Sequence, residues 1–136
     1  MSGNTGGHNR IRDRLVRLLA PVAEENGRGI VISEQEFEFG ASAYAPDVAW
    51  FSSEKAAFFD PDKRVQRFIP ELTIEIVTPN DAFVHIVRKK NRYRSAGVAD
   101  VWIVSPEADG EVLIYSDRGD QIVRGGAELT MDLIPD

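Results

Sequence analysis

The sequence predicts an α/β or α+β domain in which a mixed β-sheet is flanked by helices. Three observations support this fold class. A helical segment opens the chain, two or three strand-like runs follow it, and a second helical segment precedes a last group of strands. Two of the runs are apolar on both faces, which indicates strands that are covered on both sides. Helices placed before and between such strands favour a sheet between helical layers.

The size and composition are those of one globular domain. The chain has 136 residues, of which 43% are hydrophobic and 28% charged, and such a chain can build one core. We expect residues 1–7 to be flexible and residues 8–136 to form a single domain. There are no cysteines, which excludes a disulfide framework and Cys-ligated zinc. Without a signal core or an apolar run of roughly 20 residues, we predict a cytoplasmic protein with no membrane partner.

The first half of the chain contains a helix and two strand-like runs. The helix is predicted from apolar residues at helical spacing, namely Ile11, Leu15, Leu18, Leu19 and Val22. "NGRG" from Asn26 ends it. Residues 30–40 resemble one strand, because two phenylalanines alternate with two glutamates. "PDVAWF" at 46–51 predicts a short strand opened by a proline, and residues 52–69 predict a loop with at most one helical turn.

The second half alternates strands with one helix. "ELTIEIV" at 71–77 predicts a central strand. "TPND" ends it, and Asn80 or Asp81 is expected to cap the following helix, which Gly97 closes. "VWIV" at 101–104 predicts another buried strand. "EVLIYS" and "QIVRG" predict a hairpin across "DRGD".

The charge is unevenly distributed. The net charge of −6 argues against an affinity for nucleic acid along the whole chain. Residues 84–94, however, carry five Lys or Arg residues and no acid. This segment is either a solvated helix face or a local phosphate-facing patch on an acidic body.

Two carboxylates lie in apolar strands. Glu75 has apolar neighbours on both sides, and a buried carboxylate without a partner costs several kcal/mol. It is therefore paired, protonated or metal-bound, or it lies at an exposed strand edge. Asp47 precedes another short apolar strand, where a turn-type Asp beside Pro46 is the simpler interpretation. Together the two acids supply the few oxygen ligands that Mg²⁺ prefers.

Lys89 is the third candidate. It lies in the middle of a helical stripe formed by Ala82, Ile86, Lys89, Tyr93 and Ala96. Glu75 is roughly 10 Å before the turn, and Lys89 is roughly 12 Å into the helix. A helix that folds back over the strand therefore brings Lys89 level with Glu75, unless Lys89 only buries its stem and reaches solvent. Two acids and a lysine around a cation predict a phosphodiester-cleaving site.

Other motifs are weak. The Gly-rich stretches lack the spacing of a phosphate loop, and none of the serines lies in a G-x-S-x-G elbow. His8 and His85 are far apart in the chain and there is no thiol, so a zinc site is not favoured.

Three segments together show a family resemblance. "PDVAW", "PELTIEIVTPND" and "KKNRYRSAGVADVWIVSP" resemble the Uma-two family of restriction endonucleases, within the PD-(D/E)XK nuclease superfamily. The likeness runs from the first helix to the final hairpin. It implies a restriction-endonuclease-like core and a divalent metal site. Asp47 matches the Pro-Asp motif and Glu75 the acid of the second motif. The usual lysine position falls at Val77, and Lys89 matches a lysine displaced to the following helix.

The sequence departs from the family pattern in three places. Ser105 replaces the aspartate that often precedes the proline, and Thr78 stands where serine is common. The chain also ends at "LIPD", where relatives usually continue for another strand or helix. We therefore expect a domain that is either truncated or naturally short.

The leading hypothesis is a metal-dependent endonuclease acting on DNA. Asp47 and Glu75 hold Mg²⁺ or Mn²⁺ with a backbone carbonyl near Ile76, and Lys89 acts beside the attacking water. The residues expected to contact the DNA backbone are Lys90, Arg92 and Arg94. A homodimer is expected because cutting two strands needs two sites. The alternatives are a catalytically inactive binding or assembly module, which the acidic net charge favours, and an interaction protein with a structural Glu75–Lys89 ion pair.

Overall fold

The computed structural model describes residues 5–78, 81–105 and 111–123, and these residues contain helices on both sides of a mixed β-sheet. The elements are α1 (Gly6–Glu24), β1 (Ile30–Ser33), β2 (Glu36–Phe39), β3 (Ser42–Tyr44), β4 (Val48–Phe51), α2 (Ser53–Ala56), β5 (Val65–Gln66), β6 (Leu72–Ile76), α3 (Phe83–Ala96), β7 (Asp100–Ser105), β8 (Glu111–Ser116) and β9 (Gln121–Val123). The predicted fold class is confirmed. Within the described residues, no helix has the length and apolar character needed to cross a membrane.

The larger sheet carries the central strand predicted at 71–77. Its six strands lie in the order β1-β4-β6-β7-β8-β9. The β6–β7 pair is parallel and the other neighbours are antiparallel. Parallel neighbours need a crossover connection, and α3 supplies it. Strand β6 therefore lies inside the sheet, and all five of its residues are buried.

The core has two layers, one on each face of this sheet. On one face, Leu15 and Leu19 of α1 pack with the residues of β6 that share their side, Leu72, Ile74 and Ile76. The opposite face of the sheet packs against α3 and against a small sheet of order β3-β2-β5. Because side chains alternate along a strand, Glu75 points to the α3 face, away from the α1 core.

The segment 30–40 is two strands rather than the one predicted. It breaks at Glu34, whose φ of 59° turns the chain, so β1 and β2 belong to different sheets. The strands Ser42–Tyr44 and Val65–Gln66 were also not predicted, because strands of three and two residues are too short to show alternation. The predicted helical turn within 52–69 is Ser53–Ala56.

The two long helices begin differently. Helix α1 starts at Gly6, inside the segment 1–7 expected to be flexible, and residues 1–4 lie outside the described residues. The hydroxyl of Thr5 caps this helix by accepting a hydrogen bond from the His8 N–H, at 3.1 Å. Helix α3 has Ala82 as its N-cap, and no side chain of a described residue caps it.

The cap prediction for Asp81 is wrong, and Asn80 lies outside the described residues. The Asp81 carboxylate instead accepts hydrogen bonds from the Thr78 N–H at 2.7 Å and from the Thr78 hydroxyl at 3.1 Å. These bonds close the turn that leads from β6 towards α3. At the other end of α3, Gly97 adopts a left-handed conformation with φ 107°, as predicted.

Candidate active site

The two predicted carboxylates meet where β4 begins and β6 ends. Strands β4 and β6 are antiparallel, with Val48 paired to Ile74. Asp47 comes directly before Val48, and Glu75 directly follows Ile74. The charge of Asp47 acts on the Glu75 carboxyl and raises its pKa. The Ile76 N–H donates a 2.7 Å hydrogen bond to Oδ2 of Asp47. The fold therefore brings together two acids that are far apart in the chain.

Glu75 is held from α3 at both of its oxygens. The side chain is only 4% exposed, and Nζ of Lys89 lies 3.2 Å from Oε1. The Tyr93 hydroxyl donates a 2.9 Å hydrogen bond to Oε2. The helix thus returns over the strand and brings Lys89 beside Glu75. Sequence reasoning placed Tyr93 on the same stripe but did not name it as a partner of Glu75; its position one helical turn after Lys89 was the available signal.

The surroundings of Glu75 change its protonation. Burial, reinforced by the charge of Asp47, raises the pKa of Glu75 to about 7, although Lys89 and Tyr93 act in the opposite direction. Burial alone lowers the pKa of Lys89, but the Glu75 carboxylate outweighs this and the net direction is upward. Burial and the same carboxylate raise the pKa of Tyr93, so its hydroxyl remains a donor. Glu75 therefore exchanges its proton near neutral pH.

Asp47 is held from the opposite helical layer. Its side chain is 14% exposed, and Oδ1 lies 3.1 Å from Nε2 of His8 in the first turn of α1. His8 is 6% exposed. Sequence reasoning considered His8 only as a zinc ligand without partners and did not connect it with Asp47. No local signal links the two residues, because only the packing of α1 on the sheet brings them together.

A family model described as "Uma2: Putative restriction endonuclease" matches residues 1–135. This chain belongs to the Uma2 family. The resemblance to this family drawn from the three motifs is thereby confirmed, and membership supports a nuclease function. No curated protein matches the chain.

Two solved structures share the Uma2 fold seen here. One is a crystal structure of a "putative nuclease belonging to DUF820" from Anabaena variabilis, with a TM-score of 0.81 and 17% identity, covering 95% of this chain and 73% of that one. The other is a cryo-electron microscopy structure of a DrdV–DNA complex, with a TM-score of 0.56 and 16% identity. It covers 87% of this chain but 10% of the DrdV chain. At such identities both likenesses show the fold alone.

The three predicted DNA-contacting residues of this Uma2 chain lie in different settings. Nζ of Lys90 lies 4.6 Å from the centre of the Tyr115 ring. The guanidinium of Arg92 lies 4.9 Å from the centre of the Tyr44 ring. Both contacts leave cationic groups at the surface, on opposite sides of Lys89 around the helix.

Arg94 is occupied by contacts that hold the end of α3. Its guanidinium donates hydrogen bonds to the backbone carbonyls of Val98 and Ala99, at 2.8 and 2.7 Å. It also pairs with Asp117 at 2.6 Å. These contacts connect the helix end to the β7–β8 side of the sheet, and they are typical of a structural arginine.

A groove next to Lys89 has a cationic wall. It has a volume of about 430 Å³ and runs between α3 and the turn after β2. Arg88, Asn91, Arg92 and Ser95 line it from the helix, opposite Phe39 and Gly40. No acidic residue lines it in the part of the chain that the structure describes. Phe39 also contacts Tyr93, with ring centres 4.6 Å apart, so the groove adjoins the side chain that holds Glu75.

The residues of the site fit a hard divalent cation with few protein ligands. In the part of the chain that the structure describes, no three or more His, Asp or Glu residues form a metal-binding group. Two neighbouring carboxylates, each with unused lone pairs, match Mg²⁺, which keeps several waters and takes one or two carboxylates. The charge of Asp47 raises the pKa of Glu75, and a cation between them would relieve that repulsion. Ile76 contacts Asp47 through its N–H.

Proposed function

We propose that this Uma2 protein is a metal-dependent endonuclease that hydrolyses phosphodiester bonds in DNA. The observation that carries the proposal is the neighbouring pair of acids, in which the charge of Asp47 acts on Glu75, with Lys89 Nζ 3.2 Å from the Glu75 carboxylate. Membership in the family described as "Putative restriction endonuclease" supports the reaction class. The DNA complex of the structural neighbour DrdV supports the choice of polymer.

Each residue has a defined task in this proposal. Asp47 and Glu75 hold Mg²⁺ or Mn²⁺, with a backbone carbonyl near Ile76. When bound, such an ion neutralises charge on the scissile phosphate and lowers the pKa of an attacking water. Lys89 orients that water or offsets the charge that develops on the phosphate. Tyr93 keeps the Glu75 carboxylate directed towards Asp47.

The DNA backbone lies along α3 in this proposal. Lys90 and Arg92 contact phosphates, as expected from the sequence, and the cationic groove adds Arg88. Arg94 was expected to join them, but we assign it to the fold because its guanidinium is already bonded. A homodimer supplies the second site needed to cut both strands. A DNA substrate agrees with the cytoplasmic location predicted from the sequence.

The test is cleavage of plasmid and linear DNA in the presence of Mg²⁺ or Mn²⁺. We expect nicked and linear products from the wild-type protein and none after addition of a chelator. Asp47→Ala, Glu75→Ala and Lys89→Ala should each abolish the products. Matched controls are Asp13→Ala, Glu54→Ala and Lys63→Ala, which alter exposed residues of the same types and should retain activity. Cleavage that survives all three site substitutions would exclude this active site.

The DNA surface has its own test. Log affinity for a DNA duplex, measured with a chelator present, falls linearly with log salt in proportion to the number of phosphate contacts. Arg88→Ala and Arg92→Ala should each reduce that slope by about one contact, and Arg94→Ala should leave it unchanged. A reduced slope in Arg94→Ala alone would contradict our assignment of these three residues.

The second candidate is a nuclease-fold module that binds or assembles without catalysis. The net charge of −6 favours it, because an acidic body repels DNA. Titration calorimetry separates the two functions. Binding of Mg²⁺ or Mn²⁺ that disappears in Asp47→Ala and in Glu75→Ala supports the nuclease, whereas no binding by the wild-type protein supports the module.

A further inference from the structure

His8 is a buried histidine with one side-chain nitrogen directed at a proposed metal ligand. Its Nε2 lies 3.1 Å from Oδ1 of Asp47, and its Nδ1 is buried with no hydrogen-bond partner in the described part of the chain. An imidazole buried in this way loses its bonds to water. Among the described residues, the polar contact of this ring is therefore the one with Asp47.

The contact determines which nitrogen carries hydrogen. A carboxylate oxygen only accepts hydrogen bonds, so a stable 3.1 Å approach requires the hydrogen on Nε2. In the neutral ring, Nδ1 then carries no hydrogen, which agrees with its lack of a hydrogen-bond partner among the described residues. The ring acts as a donor to Asp47, and its lone pair points away from that carboxylate.

Two donors thus fix the Asp47 carboxylate. His8 approaches Oδ1, and the Ile76 N–H donates to Oδ2 at 2.7 Å. Rotation of the carboxylate would break both contacts. Because each carboxylate oxygen has two lone pairs, one on each oxygen remains available for a cation. The arrangement holds the acid in one orientation without using up its capacity as a ligand.

The backbone of His8 is fixed as well. Its N–H donates to the Thr5 hydroxyl that caps α1, and Leu15 and Leu19 anchor the same helix to the face of the sheet opposite α3. The position of the imidazole is therefore set by the helix start and by the core packing of α1.

We propose that His8 is the positioning residue for Asp47, so that α1 orients one metal-binding carboxylate while α3 holds the other. The inference rests on the proposed function, because it assigns His8 to the same metal site. It makes His8 a group that acts through Asp47, and it distinguishes His8 from a direct metal ligand.

Metal affinity tests the proposal with two substitutions of His8, one that removes the hydrogen-bond donor and one that keeps it. His8→Leu removes the donor, and His8→Gln keeps an N–H at a similar distance from the backbone. We expect His8→Leu to weaken Mn²⁺ binding by about 10–100-fold, as substitutions of hydrogen-bond partners of metal ligands do, and His8→Gln to restore most of the affinity. His85→Leu is the matched control, since His85 is exposed on α3, and it should bind Mn²⁺ as the wild type does.

A second measurement needs no metal. The protein has two histidines, so nitrogen-15 NMR resolves both rings. We expect the Nε2–H tautomer for neutral His8 in the wild-type protein, and loss of the corresponding shift pattern in Asp47→Ala. This readout remains available if His8→Leu fails to fold.

Three outcomes would overturn the inference. They are a neutral His8 with its hydrogen on Nδ1, Mn²⁺ binding by folded His8→Leu equal to that of the wild type, and electron paramagnetic resonance of bound Mn²⁺ showing a nitrogen coupling that His8→Leu removes. The last would make His8 a direct ligand. If the wild-type protein binds no Mn²⁺, the proposed function fails and this inference fails with it. If the wild-type protein binds Mn²⁺ and folded His8→Leu binds it equally well, the inference fails and the proposed function stands.

Discussion

Glu75 lies in β6 and Asp47 comes directly before the neighbouring strand β4, yet the fold supports the two carboxylates from opposite sides of the sheet. Glu75 is buried on the α3 face, where Lys89 and Tyr93 take one oxygen each. Asp47 lies at the rim, where His8 of α1 and the backbone N–H of Ile76 take one oxygen each. Within the described residues each carboxylate has two of these partners, but of the two acids only Glu75 is fully buried.

The difference shows how one chemical group can have two roles. Burial raises the pKa of Glu75 to about 7, so this acid gains or loses a proton near neutrality according to the charges around it. Asp47 retains contact with solvent and is oriented by directional donors. In the proposed nuclease, a bound cation favours the charged form of Glu75. Asp47 is instead held in one orientation by its two hydrogen-bond donors.

We expect the strongest loss of DNA cleavage from substitutions of the two acids, which test whether both are required. Asp47→Asn and Glu75→Gln keep the side-chain shapes and remove the charges. We expect each to lower DNA cleavage by more than about 100-fold, the upper end of the loss seen for outer partners of metal ligands. Initial rates of plasmid cleavage at saturating Mg²⁺ measure the effect. Wild-type cleavage by Asp47→Asn would show that the reaction needs only one of the two acids.

The pH dependence of stability should come from Glu75. Between about pH 4.5 and pH 7, Glu75 keeps its proton in the folded chain, whereas the unfolded chain has lost it. Its contribution to folding stability is therefore fully present below about pH 4.5 and is lost by about pH 7. The free energy of unfolding of the metal-free protein should fall by about 3 kcal/mol over that range, at 1.36 kcal/mol per pKa unit. Urea unfolding at a series of pH values measures it.

Matched variants isolate this contribution. Glu75→Gln should remove the fall in stability between about pH 4.5 and pH 7, whereas Glu54→Gln, at an exposed position, should keep it. Identical pH profiles for the wild type and Glu75→Gln would show that the buried carboxylate does not bind a proton in the folded state.

Tyr93→Phe should weaken the α3 support of Glu75 selectively. The ring still packs on Phe39, but Oε2 loses its donor. A hydrogen bond to a charged group contributes about 1.5–3 kcal/mol, so we expect a loss of that size in urea unfolding at alkaline pH. Because the Tyr93 hydroxyl lowers the pKa of Glu75, its removal should also shift the pH profile to higher pH. Tyr115→Phe is the control and should be neutral.

The smallest effects concern the starts of the two supporting helices. Thr5→Ala removes the cap of α1 and should cost about 1 kcal/mol. Ala82→Ser adds a hydroxyl cap to α3, where no described side chain forms one, and should raise stability by up to about 1 kcal/mol. Thermal unfolding measures both. If both substitutions lowered stability, or both raised it, the two helix starts would not differ in capping as their hydrogen bonds indicate.

Much of the site could be predicted from the sequence because it depends on the periodic spacing of apolar residues in β6 and α3. The apolar run around Glu75 predicts a central strand, and the 3.6-residue period of the next helix brings Lys89 back to the level of Glu75. The errors lie where periodicity is absent. The break at Glu34 depends on one left-handed residue, and the short strands β3 and β5 have too few residues to alternate. The cap at Ala82 was missed because Asp81 closes the preceding turn instead.

Side-chain order along the chain was enough to predict the fold class, the inner strand with its isolated acid, and the family, because that order sets which faces are apolar. Three features needed the folded chain: the contact of His8 with Asp47, the bonds that occupy Arg94, and the rise of the Glu75 pKa to about 7. Desolvation and contacts across layers depend on which surfaces meet. That information is absent from any short stretch of sequence and appears only when α1 and α3 close on the two faces of one sheet.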